Sequence, residues 1–138
     1  MDYRLIKVQK FQDKRGYLAE FLTRREVGVN TRFGHIYFVT FSKPGVVRGN
    51  HYHTRKKEFF GVALGKVEIT IEDIKTRKRK VFTFNAGDPE FIRLEIGPNI
   101  AHAVKSLSAN AVLIDYFTSP YNPKHPDSFK YIIYEPNK

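Results

Sequence analysis

An all-β chain, folded as an antiparallel sandwich or closed barrel, is what the sequence predicts. Three observations predict it. Eight or more short segments alternate apolar and polar residues or are rich in β-branched and aromatic ones, the pattern of half-buried strands. Clusters of Gly, Pro, Asn or Asp separate them at short intervals, the spacing of hairpins. Only residues 24–29 and 126–131 read as short helices, too little for a parallel sheet, whose strands need long crossover connections.

The first strand covers Leu5–Phe11, and Asp13-Lys14-Arg15-Gly16 turns the chain into a second, Tyr17–Leu22. Asp suits the start of such a turn and Gly its left-handed end. His35–Phe41 carries β-branched and aromatic side chains and stops at Lys43-Pro44-Gly45. Phe59–Leu64 and Val67–Ile74 flank Gly65. The basic run Thr76-Arg77-Lys78-Arg79-Lys80 then forms a solvated hairpin tip before Val81–Phe84. Phe91–Ile96, His102–Leu107 and Ala111–Phe117 complete the strands. There is no internal repeat, linker or low-complexity stretch, so residues 1–138 read as one domain.

A length of 138 residues with 41% apolar composition supports a real core and excludes general disorder. Without cysteine the chain has no disulfides, thiolate metal sites or thiol nucleophiles. No apolar run approaches the roughly 20 residues of a membrane helix, and MDYRLIKVQK lacks the apolar core of a signal peptide. A cytoplasmic protein without membrane association is expected. The formal charge is +10, with 13 basic against 5 acidic residues in 1–60 and 11 against 9 in 61–138. A basic surface attracts anions. No nucleic-acid motif accompanies it, so no nucleic-acid partner is expected; a phosphorylated small molecule fits scattered Arg residues equally well, because guanidinium groups pair with phosphate oxygens.

Three of the five histidines stand in informative places. His51 and His53 are two apart and share one face of a strand. Glu58 opens the next strand, and His102 follows the turn Gly97-Pro98-Asn99. Imidazole nitrogens and a carboxylate oxygen suit Zn, Mn, Fe, Ni or Co.

Gly45, five residues, His51-x-His53, four residues, Glu58, six residues and Gly65 reproduce the first motif of the cupin superfamily in every element. The second motif, Pro-x-Gly-x-x-His-x-x-x-Asn, keeps only His102. The resemblance implies a jelly-roll β-barrel, in agreement with the strand reading. Arg48-Gly49-Asn50-His51-Tyr52-His53-Thr54, Lys57-Glu58-Phe59, Gly87-Asp88, Tyr121-Asn122-Pro123 and Pro126-Asp127-Ser128 resemble a narrower group. It is the C-terminal cupin domain of the bifunctional capsular-polysaccharide UDP-sugar reductase/epimerases. Two related families share parts of the pattern. The dTDP-4-keto-6-deoxyglucose 3,5-epimerases are similar at Asp13-x-Arg15-Gly16-x-x-x-Glu20 and Arg48-Gly49-x-His51-Tyr52, and the 3,4-ketoisomerases at Arg48-Gly49-x-His51-x-His53-x-x-Lys56.

These resemblances imply an isomerase that removes the proton beside the C4 ketone of a UDP- or dTDP-4-keto-6-deoxyhexose used in surface polysaccharides. Epimerisation and 3,4-ketoisomerisation are both open, as is a non-catalytic cupin that binds a nucleotide sugar. His51 and His53 are candidate catalytic groups with Tyr37 and Tyr121 as acids. Arg48, Arg15, Glu20 and Asn50 are candidate substrate contacts. His51, His53, Glu58 and His102 are candidate ligands of one divalent metal, Zn first, with Mn, Fe or Ni as alternatives and no organic cofactor. In relatives the N-terminal strand crosses to a partner, so residues 1–30 are expected to complete a neighbour's site in a homodimer.

Overall fold

A computed structural model describes residues 1–28 and 32–135. Twelve strands and one short helix follow in the order β1 (Tyr3–Gln9), β2 (Phe11–Asp13), β3 (Gly16–Leu18), α1 (Arg24–Val27), β4 (His35–Thr40), β5 (Val47–Tyr52), β6 (Glu58–Leu64), β7 (Lys66–Asp73), β8 (Arg79–Asn85), β9 (Glu90–Ile96), β10 (Ile100–Ser106), β11 (Val112–Phe117) and β12 (Phe129–Lys130). Ten of them form two five-stranded sheets, ordered β1-β9-β6-β11-β4 and β12-β5-β10-β7-β8. Each pairing is antiparallel.

The core lies between the sheets because each strand turns one set of apolar residues inward. Val67, Ile69 and Ile71 of β7 meet Phe60 and Val62 of β6, Leu94 and Ile96 of β9 and Leu113 of β11. Alternation of period two puts all of these on the buried face. The opposite face of β7 carries Glu68, Thr70 and Glu72, and it is covered by the C-terminal segment. The Tyr134 hydroxyl bonds to Glu68 and, at 2.5 Å, to Thr70, while the Tyr131 hydroxyl bonds to Glu72.

Two expectations of local structure are corrected. The first expected strand, Leu5–Phe11, is two elements: β1 pairs with β9 at the edge of a five-stranded sheet, whereas β2 and β3 form a separate two-stranded hairpin. The segment 126–131 is not a helix. Asp127 has φ 48°, and Phe129 and Lys130 pair with Tyr52 and His51 on the open edge of β5. A left-handed residue and an available sheet edge decide against a helical turn there. The expected helix at 24–29 forms over Arg24–Val27, with Thr23 and Glu26 as a capping box and Gly28 at φ 94° ending it; its expected last residue, Val29, lies outside the described residues.

Candidate active site

A single inserted residue builds one wall of the site. Along β5 and β10, His51 is opposite His102 and Gly49 is opposite Ala103, leaving Asn50 as an extra residue in β5. Gly49 at φ 94° and Asn50 at φ 58° make this β-bulge. A Cβ on Gly49 would lie 2.9 Å from the His102 carbonyl oxygen, so the close approach of β5 to β10 requires glycine. Past the bulge Arg48 is opposite Val104. Side chains three apart, Arg48 and His51, therefore face the same interior. Asn50 turns to the outside, where its Oδ1 accepts from the Ile133 and Tyr134 N–H groups at 3.0 and 3.1 Å and its Nδ2 donates to the Tyr134 carbonyl at 2.8 Å. The amide of Asn50, expected as a substrate contact, is engaged here as the anchor of the C-terminal segment.

The interior wall bounds a cavity of about 290 Å³ between the sheets, open to solvent. Arg48, His51 and His102 line it from one sheet, Tyr37, Asp115 and Phe117 from the other. One ligand atom from each of His51, His53, Glu58 and His102 lies within 4.8 Å of all the others. The four residues expected to meet do meet, drawn from β5, the loop after it, β6 and β10.

The hydrogen bonds of this cluster leave it short of a donor. His53 Nδ1 is 2.6 Å from the Asp127 carbonyl oxygen and His102 Nδ1 is 3.3 Å from that of Ile100. A carbonyl oxygen only accepts, so both Nδ1 atoms carry the proton and both Nε2 atoms present lone pairs. These lone pairs lie 2.8 Å (His53) and 3.2 Å (His102) from Glu58 Oε1. Three acceptors thus converge without a donor, and His53 Nε2 and both Glu58 oxygens are buried with no hydrogen-bond partner. Such atoms call for a cation or a shared proton between them. Three imidazole nitrogens and one carboxylate oxygen are a donor set that fits Zn, Mn, Fe or Ni, so the residues could hold one metal ion.

In the absence of such an ion, burial governs the charges. Glu58, 1% exposed, is pushed up to about 8 by burial, against the opposing influence of Asp115 and Lys56. His51 is lowered to about 4 by burial, reinforced by His53 and Lys56. His53 and His102 are also lowered, chiefly by burial. All three imidazoles are therefore neutral at pH 7, as ligands and bases must be. Asp115 lies diagonal to Glu58 on the same face of its sheet. Burial first and then Glu58 raise it well above the ordinary carboxylate range. The sequence left Asp115 undecided; a charged residue at an inward position of the run Leu113, Asp115, Phe117 was the signal that it belongs to the site.

The tyrosines separate. Tyr37, 43% exposed, lines the cavity from β4 with its ring edge against Phe117. Its place at the cavity wall is the one its candidate role as an acid requires. Tyr121, 54% exposed, lies over the Lys56 ammonium, and its backbone N–H donates to His35 Nδ1. It does not line the cavity. Arg15 and Glu20 are exposed. Arg15 is paired with Asp13 at 2.5 Å in the β2–β3 hairpin, on the outer side of the sheet that holds β6 and β11. Within one chain neither joins the histidine cluster.

The model of the polysaccharide biosynthesis C-terminal domain matches residues 11–129. This chain belongs to that family. Spore coat polysaccharide biosynthesis protein SpsL of Bacillus subtilis (strain 168) is 31% identical over 126 residues, 88% of this chain and 82% of SpsL. Among solved structures, the 3,4-ketoisomerase QdtA from Thermoanaerobacterium thermosaccharolyticum, a mutant in complex with TDP-4-keto-6-deoxyglucose, matches 94% of this chain and 87% of its own, with a TM-score of 0.76 at 22% identity. The dTDP-4-dehydrorhamnose 3,5-epimerase from Bacillus anthracis, with TDP and PPi bound, matches 90% of this chain and 76% of its own, with a TM-score of 0.76 at 18% identity. The polysaccharide biosynthesis C-terminal domain thus shares the cupin-type barrel of these enzymes. No helix among its described residues is long and apolar enough to cross a membrane.

Proposed function

We propose that this domain is an isomerase of nucleotide-diphosphate sugars, an epimerase or ketoisomerase that moves a proton beside the C4 ketone of a UDP- or dTDP-4-keto-6-deoxyhexose for polysaccharide synthesis. The observation that carries it is the meeting of His51, His53, Glu58 and His102 at a cavity walled by Arg48 and Tyr37. The ligands and activities of QdtA and the 3,5-epimerase point to the same substrate class.

A C–H beside a ketone is a weak acid, so its removal needs a placed base and stabilisation of the developing enolate charge. His51 faces the cavity as a neutral imidazole and takes the proton. Burial leaves it a weak base in the resting site, and the negative diphosphate of the bound substrate shifts it upward toward neutrality. Arg48, lining the same cavity on the same strand, binds that diphosphate by paired charge-assisted hydrogen bonds. Tyr37 stands on the facing sheet and returns a proton from the other side. Return to C3 gives the epimer; return to C4 gives the 3-keto isomer. With His51 kept free as the base, His53, Glu58 and His102 would hold a divalent metal, zinc foremost, which would supply Lewis acidity toward the ketone oxygen.

The outer surface supports a homodimer. Leu18, Phe33, Ile36, Phe38 and Leu64 are exposed apolar residues, and the first and last three are on strands of the hairpin and of one sheet. A second copy would cover them, with Arg15 of the hairpin and Glu20 just beyond it completing the neighbouring cavity.

The test is incubation with dTDP- and UDP-4-keto-6-deoxyhexoses in deuterium oxide, followed by NMR of the C3 proton. Exchange is expected, and H51N should abolish it while nucleotide affinity changes by less than about tenfold. Nucleotide binding without exchange would leave a non-catalytic binding domain; absence of binding would overturn the reading.

A further inference from the structure

The Pro126-Asp127-Ser128 block has no part in the proton chemistry above, yet it touches the metal-ligand loop at five points. Asp127 is 7% exposed. Its Oδ1 accepts from the Thr54 N–H at 2.8 Å and the Thr54 hydroxyl at 2.5 Å, and its Oδ2 accepts from the Arg55 N–H at 3.0 Å. The Pro126 carbonyl accepts from Lys56 Nζ at 3.4 Å. The Asp127 carbonyl accepts from His53 Nδ1 at 2.6 Å. Asp127 reaches His53, Thr54 and Arg55 with its φ at 48°, a conformation in which Asp and Asn are tolerated better than most residues. Its carboxylate grips Thr54 and Arg55, the two residues after His53, while its backbone turns the carbonyl onto the His53 ring.

We propose that Asp127 is the positioning residue of His53: it locks the Nδ1–H tautomer and the ring plane, so that the Nε2 lone pair is aimed at the cation held with Glu58 and His102. This rests on the metal reading of the cluster. A ligand histidine whose second nitrogen is fixed by an acceptor is presented in one tautomer, and loss of such a partner lowers metal affinity. Pro126 bears on the same step, since its fixed φ limits the chain entering Asp127.

The experiment compares wild type, D127A and D127N in two measurements. The first is the tautomer of His53 in metal-free protein, read from ring-nitrogen shifts by NMR at neutral pH. The second is the affinity for Zn²⁺ alone, read by competition with a chromophoric chelator. Wild type should show one Nδ1–H tautomer. D127A should show a mixture of tautomers and bind Zn²⁺ about 10–100-fold more weakly. D127N, which keeps Oδ1 and tolerates the left-handed backbone, should restore one tautomer and most of the affinity. A D127A protein that is less stable but keeps one tautomer and affinity within about twofold makes Asp127 a fold residue only, and overturns the proposal. If D127A does not fold, D127G, which retains the backbone freedom, is held to the same criteria. If wild type binds no Zn²⁺, the metal reading fails, and the tautomer comparison alone decides for or against Asp127.

Discussion

Glu58→Gln should make the metal-free protein more stable at alkaline pH while removing its metal site. Glu58 is held up at about 8 by burial, against an ordinary value of 4.5. The folded state therefore binds a proton that the unfolded state has already released, and stability falls as pH rises between the two values. The histidines act in the opposite direction at lower pH. His51, lowered to about 4 from 6.5, together with His53 and His102, leaves the unfolded state with more protons below pH 6.5, so that stability is lost as pH falls there. Between pH 6.5 and 8 the unfolded imidazoles release their remaining protons, which adds stability in wild type and variant alike, while Glu58, with Asp115 held up beside it, takes stability away. At 1.36 kcal/mol per pH decade, with Glu58 half ionised at the upper end, its share of that window is roughly 1.5–2 kcal/mol. Urea denaturation with a chelator, at pH 6.5 and pH 8, measures it. Between the two pH values wild type should fall behind E58Q by about that amount, because an amide does not titrate. Saturating Zn²⁺ should reverse the wild-type slope, since a ligand carboxylate must be ionised and binding to the native state adds stability. Equal slopes in wild type and E58Q would refute the account of the buried cluster.

Tyr37→Phe should retain deuterium exchange at C3 but cut product formation by about 10²–10⁴-fold, if the phenol returns the proton and His51 removes it; NMR exchange and product assays separate the two steps. R15A and H51N should each be inactive alone, whereas random mixed dimers have one intact cavity in half of the molecules and regain about a quarter of wild-type activity. Absence of recovery after subunit mixing would place Arg15 outside the site. Asn50→Ala leaves two tail N–H groups without their acceptor and should cost about 1–3 kcal/mol in urea unfolding, with faster proteolysis between residues 129 and 135.

What could be read from the sequence was what depends on spacing along the chain. The interval from Gly45 to Gly65 placed His51, His53 and Glu58 together, because a strand, a short loop and the next strand must bring them to one end of the barrel. His102 came with them through its turn. The strands β6 to β11 lie within a residue or two of their expected bounds, since alternation and hairpin residues are local signals. The bulge was not legible: two residues with positive φ, Gly49 and Asn50, reverse the facing of Arg48, and alternation alone would have put Arg48 on the outside. The C-terminal segment was misjudged for a related reason. Its conformation is decided by long-range partners, the edge of β5, Asn50 and the Thr54 N–H, none of which is near it in the chain. Tyr121 shows the remaining difficulty, because a loop residue's distance from the cavity follows from neither period nor spacing.

The bulge also explains why a segment so far along the chain bears on the metal cluster. One extra residue in β5 divides the strand's work between two sides. Inside, Arg48 and His51 share the cavity wall; outside, Asn50 binds the backbone of Ile133 and Tyr134. That anchor, with the pairing of Phe129 and Lys130 to β5, fixes the chain immediately after Asp127. Asp127 then returns through the Thr54–Arg55 loop to His53. Removing the extra residue would restore simple alternation, turn Arg48 outward and take the tail's anchor away at once. Substrate recognition and the geometry of His53 would fail together, although no residue of the metal cluster had changed.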